Sequence, residues 1–265
     1  MPLKLFAQHN IFFSSSPSSS PMADHGFFRL CLAIFTIFFC LKSPCLCQKV
    51  TLSLYYETLC PYCADFIVNH LANVFENGLI SIIDLRLVPW GNALIRPDRT
   101  FVCQHGDSEC ALNIIHACAI NAYPDVEKHF PFIYCAERLA LENRLNEWVN
   151  CLDMAGLSRA LIDCYTNGYG NLMEQRYAEE TSELKPPHQF VPWVVMNNQP
   201  LQKDYQNFMM YVCKAYGGNQ VPEVCSILNS STEMLRRNFN SSVEKLGDNH
   251  LVCYATDREL GSKSP

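Results

Sequence analysis

Charge is scarce in this sequence, and basic residues are not gathered anywhere along it. Only 17% of the 265 residues are charged, and 20 Lys and Arg stand against 26 Asp and Glu. Proteins that hold nucleic acid or anionic lipid by electrostatics carry basic clusters, often with aromatic side chains between them. The sequence therefore predicts no nucleic-acid partner.

An apolar run long enough to span a bilayer is also missing. The apolar stretch Leu30–Leu41 has twelve residues, whereas a membrane helix needs about 20. With Arg29 before it and Lys42 after it, the stretch is typical of the apolar core of a secretory signal. We predict that residues 1–47 are a leader and signal peptide that is removed, with no stable membrane insertion afterwards. An uncleaved anchor and a buried core helix are the alternatives.

Cysteine, by contrast, is abundant. The chain has 15 cysteines, about three times ordinary usage, and in an oxidising lumen such a number indicates disulfides. We therefore predict the secretory pathway, with a lysosome, a vacuole or the extracellular medium as possible destinations. Two glycosylation triplets begin at Asn229 and Asn240 in a polar stretch and predict a glycosylated tail.

One cysteine pair predicts a specific chemistry. Val50–Tyr56 alternates apolar residues and predicts a strand, and Cys60-Pro61-Tyr62-Cys63 follows it at the start of a helix that ends at Asn77-Gly78. The positive end of the helix dipole favours the thiolate of Cys60, and Cys63 one turn later can resolve a mixed disulfide. We predict a thiol–disulfide oxidoreductase with Cys60 as nucleophile and Cys63 as resolving thiol.

The same motif occurs in zinc sites and as an inert structural disulfide. A zinc site requires a second such pair or a pair of histidines, and residues 48–265 contain no second CxxC. We therefore predict no metal ion and no other cofactor. Glu57 and Asp65 disfavour a thiolate, so the helix terminus must supply the activation, and we predict that Cys60 alkylates well below pH 7.

The remaining chain predicts further elements around this unit. An apolar second strand completes a right-handed βαβ unit, a loop follows, and several helical stretches precede a short strand and a last helix. The predicted ranges are Leu79–Val88 (strand), Pro89–Phe101 (loop), Glu109–Ala122, Ala136–Leu152, Ser158–Glu180 with a break near Gly168 (helices), Phe190–Met196 (strand) and Tyr205–Tyr216 (helix).

A proline at the start of the late strand adds to the redox interpretation. In thioredoxin-like folds a cis-proline lies against the CxxC turn and helps to receive the substrate backbone, and Val191-Pro192 occupies the corresponding place in the order of elements. We predict an α/β fold with a thioredoxin-like core, a βαβ unit carrying the CxxC and a later cis-Pro strand, and a helical insertion at about 104–185. This domain spans 48–226, and 227–265 is a polar, flexible tail.

A second cysteine cluster carries a family resemblance. Residues 103–118, CQHGDSECALNIIHAC, match the pattern C-Q-H-G-x-x-E-C-x-x-N-x-x-x-x-C throughout. With the upstream CxxC and the downstream sequence PHQFVPW at 187–193, the chain resembles the gamma-interferon-inducible lysosomal thiol reductase family over about 50–226. The resemblance implies a thioredoxin-like fold that reduces protein disulfides at acid pH in lysosomes or comparable compartments. The partners are then disulfide-bonded proteins and a small-thiol reductant.

Within this cluster the residues themselves limit the pairing. Cys110 and Cys118 on one helix stand about 12 Å apart and cannot bond each other, whereas Cys103 can reach one of them. His105 is interpreted as a structural, hydrogen-bonding histidine and Glu109 as a helix-start carboxylate. With the reactive pair set aside, nine cysteines remain after residue 47, so at least one has no partner within the chain. Cys213–Cys225 is the pairing we favour.

Other functions stay open at this point. The CPYC motif also occurs in glutaredoxins, but these are small, cytosolic and poor in cysteine. A lumenal disulfide oxidase or isomerase has the same motif, because CxxC spacing does not determine the direction of electron flow. The third alternative is a secreted, non-enzymatic binding protein built on a disulfide scaffold.

Overall fold

The structure is a computed structural model that describes residues 48–238 and 252–254. Its central sheet has four strands in the order β2-β1-β6-β7, where β7 is the short edge strand Gln199–Pro200. Strand β1 (Val50–Tyr56) has the predicted bounds and pairs in parallel with β2 (Ile83–Pro89) and antiparallel with β6 (Trp193–Met196). A parallel βαβ unit joined to a later antiparallel hairpin is the predicted thioredoxin-like core, which is confirmed.

The helix that connects β1 to β2 begins at the CxxC motif. It consists of α1 (Pro61–Asp65), a wide turn of π-helix (Phe66–Leu71) and α2 (Asn73–Glu76). Phe66 lies in the core and meets the rings of Tyr205 and Phe208 edge-on, at centroid distances of 5.3 and 5.4 Å. This packing holds the connecting helix against residues 202–215 and so helps to position its first turn, which carries the CxxC motif.

The predicted second strand began too early. Leu79–Ile82 forms a 3₁₀ turn, and the strand starts at Ile83. Gly78 has a left-handed backbone (φ 79°), and its carbonyl accepts hydrogen bonds from both the N–H and the hydroxyl of Ser81. These local bonds hold the chain in a turn where the apolar pattern alone predicts extension. The predicted loop after β2 also contains a small hairpin, β3 (Leu94–Ile95) with β4 (Phe101–Val102).

Five helices fill the predicted insertion. They are α3 (Asp107–Ala122), α4 (Val126–Leu141), α5 (Asn150–Met154), α6 (Ala160–Thr166) and α7 (Tyr169–Ser182). The predicted break near Gly168 is confirmed, because this glycine has φ 80° between α6 and α7. The predicted helix Ala136–Leu152 was wrong in its bounds. Asp125 caps α4 ten residues earlier by accepting the N–H of Glu127, and Pro131 inside the helix hides that start in the sequence.

The chain after the insertion returns to the sheet. β5 (Phe190–Val191) and β6 flank Pro192, the Val191–Pro192 peptide bond is cis as predicted, and β6 turns into β7 (Gln199–Pro200). A second cis bond joins Lys185 and Pro186. The predicted last helix divides into a 3₁₀ turn (Gln202–Asn207) and α8 (Phe208–Ala215).

The C-terminal region has more regular structure than the sequence predicted. Helix α9 (Glu223–Asn238) extends into the range expected to be a flexible tail. Farther on, β8 (Cys253–Tyr254) pairs antiparallel with β5, and Val252 and Cys253 are buried. Over the ranges 48–238 and 252–254, no helix is both long and apolar enough to cross a membrane. The predicted signal peptide, residues 1–47, lies outside the described residues.

Candidate active site

Cys60 and Cys63 lie just after the carboxyl end of β1, at the start of the connecting helix. Cys60 is the N-cap residue of α1 with an extended backbone (φ −71°, ψ 116°), and Pro61 opens the helix. The N–H of Ala64 donates to the carbonyl of Cys60 over 3.0 Å, which starts the helical ladder and places Cys63 one turn later. Both sulfur-bearing side chains are buried. The predicted strand–CxxC–helix placement is therefore present.

The two cysteines are in different chemical states. Cys60 is bonded to Cys253, 193 residues away in sequence, and Cys63 is the free thiol. The prediction that at least one of the nine cysteines outside the CxxC motif has no partner within the chain is wrong for this state of the molecule, because Cys253 is bonded to Cys60. Cys213–Cys225 is bonded as predicted, and Cys103 reaches Cys110. The remaining bridges are Cys118–Cys164 and Cys135–Cys151.

The surroundings of the Cys63 thiol disfavour its ionisation. Burial raises its pKa well above the usual value, and the negative charge of the nearby Glu57 raises it further. A hydrogen bond from the Glu57 backbone offsets part of this effect. A thiol held in this state does not attack spontaneously; it becomes a nucleophile when its proton is taken up elsewhere in the site.

Glu57 itself is held by the turn after β2. The N–H of Asn92 donates to Glu57 Oε2 over 2.7 Å. Gly91 allows the close approach: it has φ 60°, and a Cβ there would lie 2.5 Å from Glu57 Oε2. The Asn92 side chain then donates to Gln104 Oε1 (2.8 Å) and to the carbonyl of Cys253 (3.1 Å). Glu57 and the Cys253 segment are therefore positioned by the same turn.

The signature loop at 103–110 forms the adjoining wall. The Cys103–Cys110 disulfide closes it at the start of α3. Glu109 Oε2 lies 2.6 Å from the backbone nitrogen and 2.7 Å from Nδ1 of His105, and His105 Nδ1 lies 3.7 Å from Glu57 Oε1. His105 is thus hydrogen-bonded as predicted, but it also faces the reactive site. The predicted helix-start carboxylate, Glu109, is buried and orients this histidine.

One group of side chains has the composition of a metal site. Donor atoms of Glu57, His105 and Cys253 all lie within 4.8 Å of one another. Tight zinc binding through sulfur requires a thiolate, and the Cys253 sulfur is engaged in the bond to Cys60. In this state the group is a contact between a carboxylate, an imidazole and a disulfide.

A second polar cluster is buried behind the cysteines. The Tyr56 hydroxyl lies 3.1 Å from His116 Nδ1, and Glu137 Oε1 lies 3.8 Å from the same nitrogen. Burial lowers the pKa of His116 to about 3 and raises that of Glu137 to about 8, the latter with a contribution from the Glu109 charge. Burial also raises the pKa of Glu174 well above its usual value. The folded state therefore favours the uncharged forms of His116, Glu137 and Glu174.

The predicted substrate-binding residues lie beside the reactive disulfide. Val191 is opposite Cys253 in the β5–β8 pairing, and Pro192 follows it. Of the predicted glycosylation sites, Asn229 is exposed on α9, far along the chain from these residues, and Asn240 lies outside the described residues.

Sequence reasoning missed several residues that the fold brings to the site. Glu57 was noted only as an unfavourable charge, and the partners of the C-terminal strand were not found. The odd number of cysteines after residue 47 indicated that one thiol is left over, but it did not single out Cys253. The missed residues are Glu57, Asn92, Gln104 and Cys253.

Known proteins resemble this chain in sequence and in fold. The reduced form of the disulfide bond oxidoreductase DsbG from Mycobacterium tuberculosis is similar in structure, with a TM-score of 0.49 and 16% identity, over 69% of this chain and 85% of that one. The gamma-interferon-responsive lysosomal thiol protein of Arabidopsis thaliana is 40% identical over 190 residues, 70% of this chain and 78% of that protein. The gamma-interferon-inducible lysosomal thiol reductase of Mus musculus is 35% identical over 188 residues, which cover 69% of this chain and 74% of that protein.

The family pattern described as gamma interferon inducible lysosomal thiol reductase (GILT) matches residues 51–155. That range contains β1 from its second residue, the CxxC helix and the whole signature loop. Because relatives at 35–40% identity are matched over more than two thirds of their length, the chain belongs to the gamma-interferon-inducible lysosomal thiol reductase family.

Proposed function

We propose that this chain reduces disulfide bonds of proteins in an acidic lumenal compartment, with Cys60 as the attacking thiolate and Cys63 as the resolving thiol. One observation supports the assignment of different roles to Cys60 and Cys63. Cys60 is the sulfur bonded to a cysteine outside the CxxC motif, whereas Cys63 is the free thiol one helical turn away. This is the arrangement of the mixed-disulfide intermediate of thiol–disulfide exchange.

The reaction balances without a further cofactor. The Cys60 thiolate attacks one sulfur of a substrate disulfide, a bond forms to that sulfur, and the other substrate sulfur leaves as a thiol once protonated. Cys63 then attacks Cys60, which releases the second substrate thiol and leaves a Cys60–Cys63 disulfide. Two equivalents of a small thiol reduce that disulfide and restore the enzyme.

The site residues support this sequence of steps. Cys60 lies at a helix start, where backbone N–H groups and the helix dipole favour negative charge on sulfur. With Cys60 bonded to another cysteine, burial and the Glu57 charge raise the pKa of Cys63, so the resolving thiol gives up its proton as it attacks Cys60. Val191 and Pro192 lie at the strand edge that an extended substrate segment would meet.

The acidic compartment is supported by the buried acids and by the relatives' names. Glu137 and Glu174 have raised pKa values, so their burial favours the folded protein at acid pH. The mouse relative is named a lysosomal thiol reductase. We further propose glycosylation at the exposed Asn229; a mass shift on glycosidase treatment that disappears in Asn229→Gln tests it.

Insulin reduction by the wild type and by Cys60→Ser, at pH 5 and pH 7, tests the function. We expect turnover by the wild type with faster reduction at pH 5, and none by Cys60→Ser. Cys253→Ser, which lacks the same Cys60–Cys253 bond but keeps Cys60, is the matched control and is expected to stay active. A fully reduced wild type without turnover would favour the disulfide-scaffold binding protein. Activity that survives in Cys60→Ser would remove the nucleophile assignment, and faster oxidation of a dithiol peptide than reduction of insulin would favour the oxidase.

A further inference from the structure

The site has three cysteines, which can form only one disulfide at a time among themselves. Four of the 15 cysteines lie in residues 1–47, so eleven follow, and all of these are described. Four bridges away from the CxxC motif use eight of them. Cys60, Cys63 and Cys253 remain, and three sulfurs can form one bond at a time. With Cys60 as the nucleophile, the two oxidised states that concern the site are a Cys60–Cys253 bond with a Cys63 thiol and a Cys60–Cys63 bond with a Cys253 thiol.

The segment that carries Cys253 is bound as an extended peptide. Cys253 pairs with Val191 and Tyr254 with Phe190 in an antiparallel register. The side chain of Asn92 donates to the carbonyl of Cys253 over 3.1 Å, and Gln104 Nε2 donates to the carbonyl of Tyr254 over 2.9 Å. Strand pairing and contacts to backbone carbonyls recognise an extended chain with little dependence on its side chains.

Side-chain packing adds to this binding. The Tyr254 ring meets the Phe190 ring at a centroid distance of 5.9 Å and an interplanar angle of 72°. Val252 and Cys253 are each 5% exposed. Covalent bond, strand pairing and ring contact together fill the cleft beside Cys60, so a second peptide cannot occupy it at the same time.

We propose that Cys253 is a third redox-active cysteine, and that residues 252–254 occupy the substrate cleft as an intramolecular substrate, whose release by thiol–disulfide exchange opens the site. This inference rests on the proposed function and extends it. In the releasing step the Cys63 sulfur bonds to Cys60 while the Cys60–Cys253 bond breaks. Cys253 leaves with the electron pair of that bond and takes up the proton that Cys63 loses. No oxidant or reductant is consumed.

The released state then enters the catalytic cycle. It has a Cys60–Cys63 disulfide and a Cys253 thiol, and a small thiol reduces the disulfide to the active dithiol. Until then the tethered segment competes with substrates for the cleft. A tethered competitor has an effective concentration of about 1 mM, so it outcompetes a substrate present at about 0.1 mM roughly tenfold.

The test compares the oxidised full chain with its Cys253→Ser variant. After acid quench and alkylation, peptide mapping of the wild type is expected to show a Cys60–Cys253 linkage with label on Cys63. In insulin reduction at pH 5 with a small thiol, the wild type is expected to start with a lag and an initial rate about tenfold lower than Cys253→Ser, as the effective concentration requires. Gln104→Ala, which keeps every cysteine, is expected to shorten the lag.

The outcomes separate this inference from the function itself. A Cys60–Cys63 linkage with labelled Cys253 in the resting wild type, or equal progress curves for wild type and Cys253→Ser, would overturn the role of Cys253 and leave the reductase intact. If both proteins are inactive after full reduction by a strong dithiol, the proposed function fails instead.

Discussion

His116 Nδ1 and Glu137 Oε1 lie 3.8 Å apart in the core behind the reactive cysteines, and neither side chain is accessible to solvent. In the described residues neither carboxylate oxygen of Glu137 has a hydrogen-bond partner. Removal from water outweighs their mutual attraction, because a charge in a low-dielectric interior loses its hydration. The pair is therefore neutral in the folded protein at mildly acidic pH.

This neutral pair predicts a stability maximum at acid pH. The pKa of Glu137 is raised from 4.5 to about 8, so the unfolded chain binds fewer protons over that interval and the free energy of unfolding falls as pH rises. The pKa of His116 is lowered from 6.5 to about 3, so stability is lost as pH falls below 6.5. The two slopes oppose each other between pH 4.5 and 6.5, and thermal unfolding is expected to peak there.

Glu137→Gln tests the alkaline slope. The amide cannot ionise, so the decline of the melting temperature between pH 6.5 and 8 is expected to become shallower, with Glu174 responsible for what remains. Glu76→Gln, on an exposed position, is the matched control. An unchanged decline in Glu137→Gln, or a wild-type maximum near pH 8, would contradict the raised pKa of Glu137.

Glu57→Gln is expected to make Cys63 more reactive. Its charge is the second cause of the raised pKa of that thiol, after burial, and the amide keeps an oxygen that can accept the Asn92 N–H. In a Cys60→Ser/Cys253→Ser background, alkylation of Cys63 followed by mass spectrometry is expected to begin at lower pH. An unchanged alkylation profile would mean that burial alone controls this thiol.

Two structural disulfides are expected to separate stability from activity. The Cys118–Cys164 bridge closes a loop of 46 residues, and Cys103–Cys110 closes a loop of 7. Because a longer loop loses more entropy in the unfolded chain, the first bridge is expected to contribute about 4 kcal/mol to the free energy of unfolding and the second about 2 kcal/mol. Replacing the longer pair by Ala is expected to cost more in urea unfolding. Replacing the shorter pair is expected to cost more activity, because it frees the loop that holds His105 and Glu109 beside Glu57. Activity losses that follow only the unfolded fraction would contradict this.

Local patterns predicted the parts of the site that are local in the chain. Val50–Tyr56 has its predicted bounds because alternation is a property of seven consecutive residues, and the CxxC motif follows it directly. The break at Gly168 was predictable for the same reason. Leu79–Ile82 was wrong because turn hydrogen bonds at Gly78 override an apolar pattern.

Local sequence patterns could not predict the tertiary contacts of the site. Cys253 joins Cys60 across 193 residues, and nothing near either residue specifies that pairing. Asn92 and Gln104 are ordinary polar residues in the sequence; they become binding groups because the turn after β2 and the signature loop meet at the C-terminal strand. Glu57 acquires its role through burial beside Cys63.

Trapping of the covalent intermediate on Cys60 is the sharpest test of its role as the nucleophile. In Cys63→Ser/Cys253→Ser the resolving thiol and the intramolecular competitor are both absent, so a disulfide-bonded peptide attacked by Cys60 has no route of release within the protein. At pH 5, mass spectrometry of the non-reduced protein is expected to show one peptide bound through Cys60. The absence of an adduct, or an adduct on a cysteine other than Cys60, would contradict the assignment of Cys60 as the nucleophile.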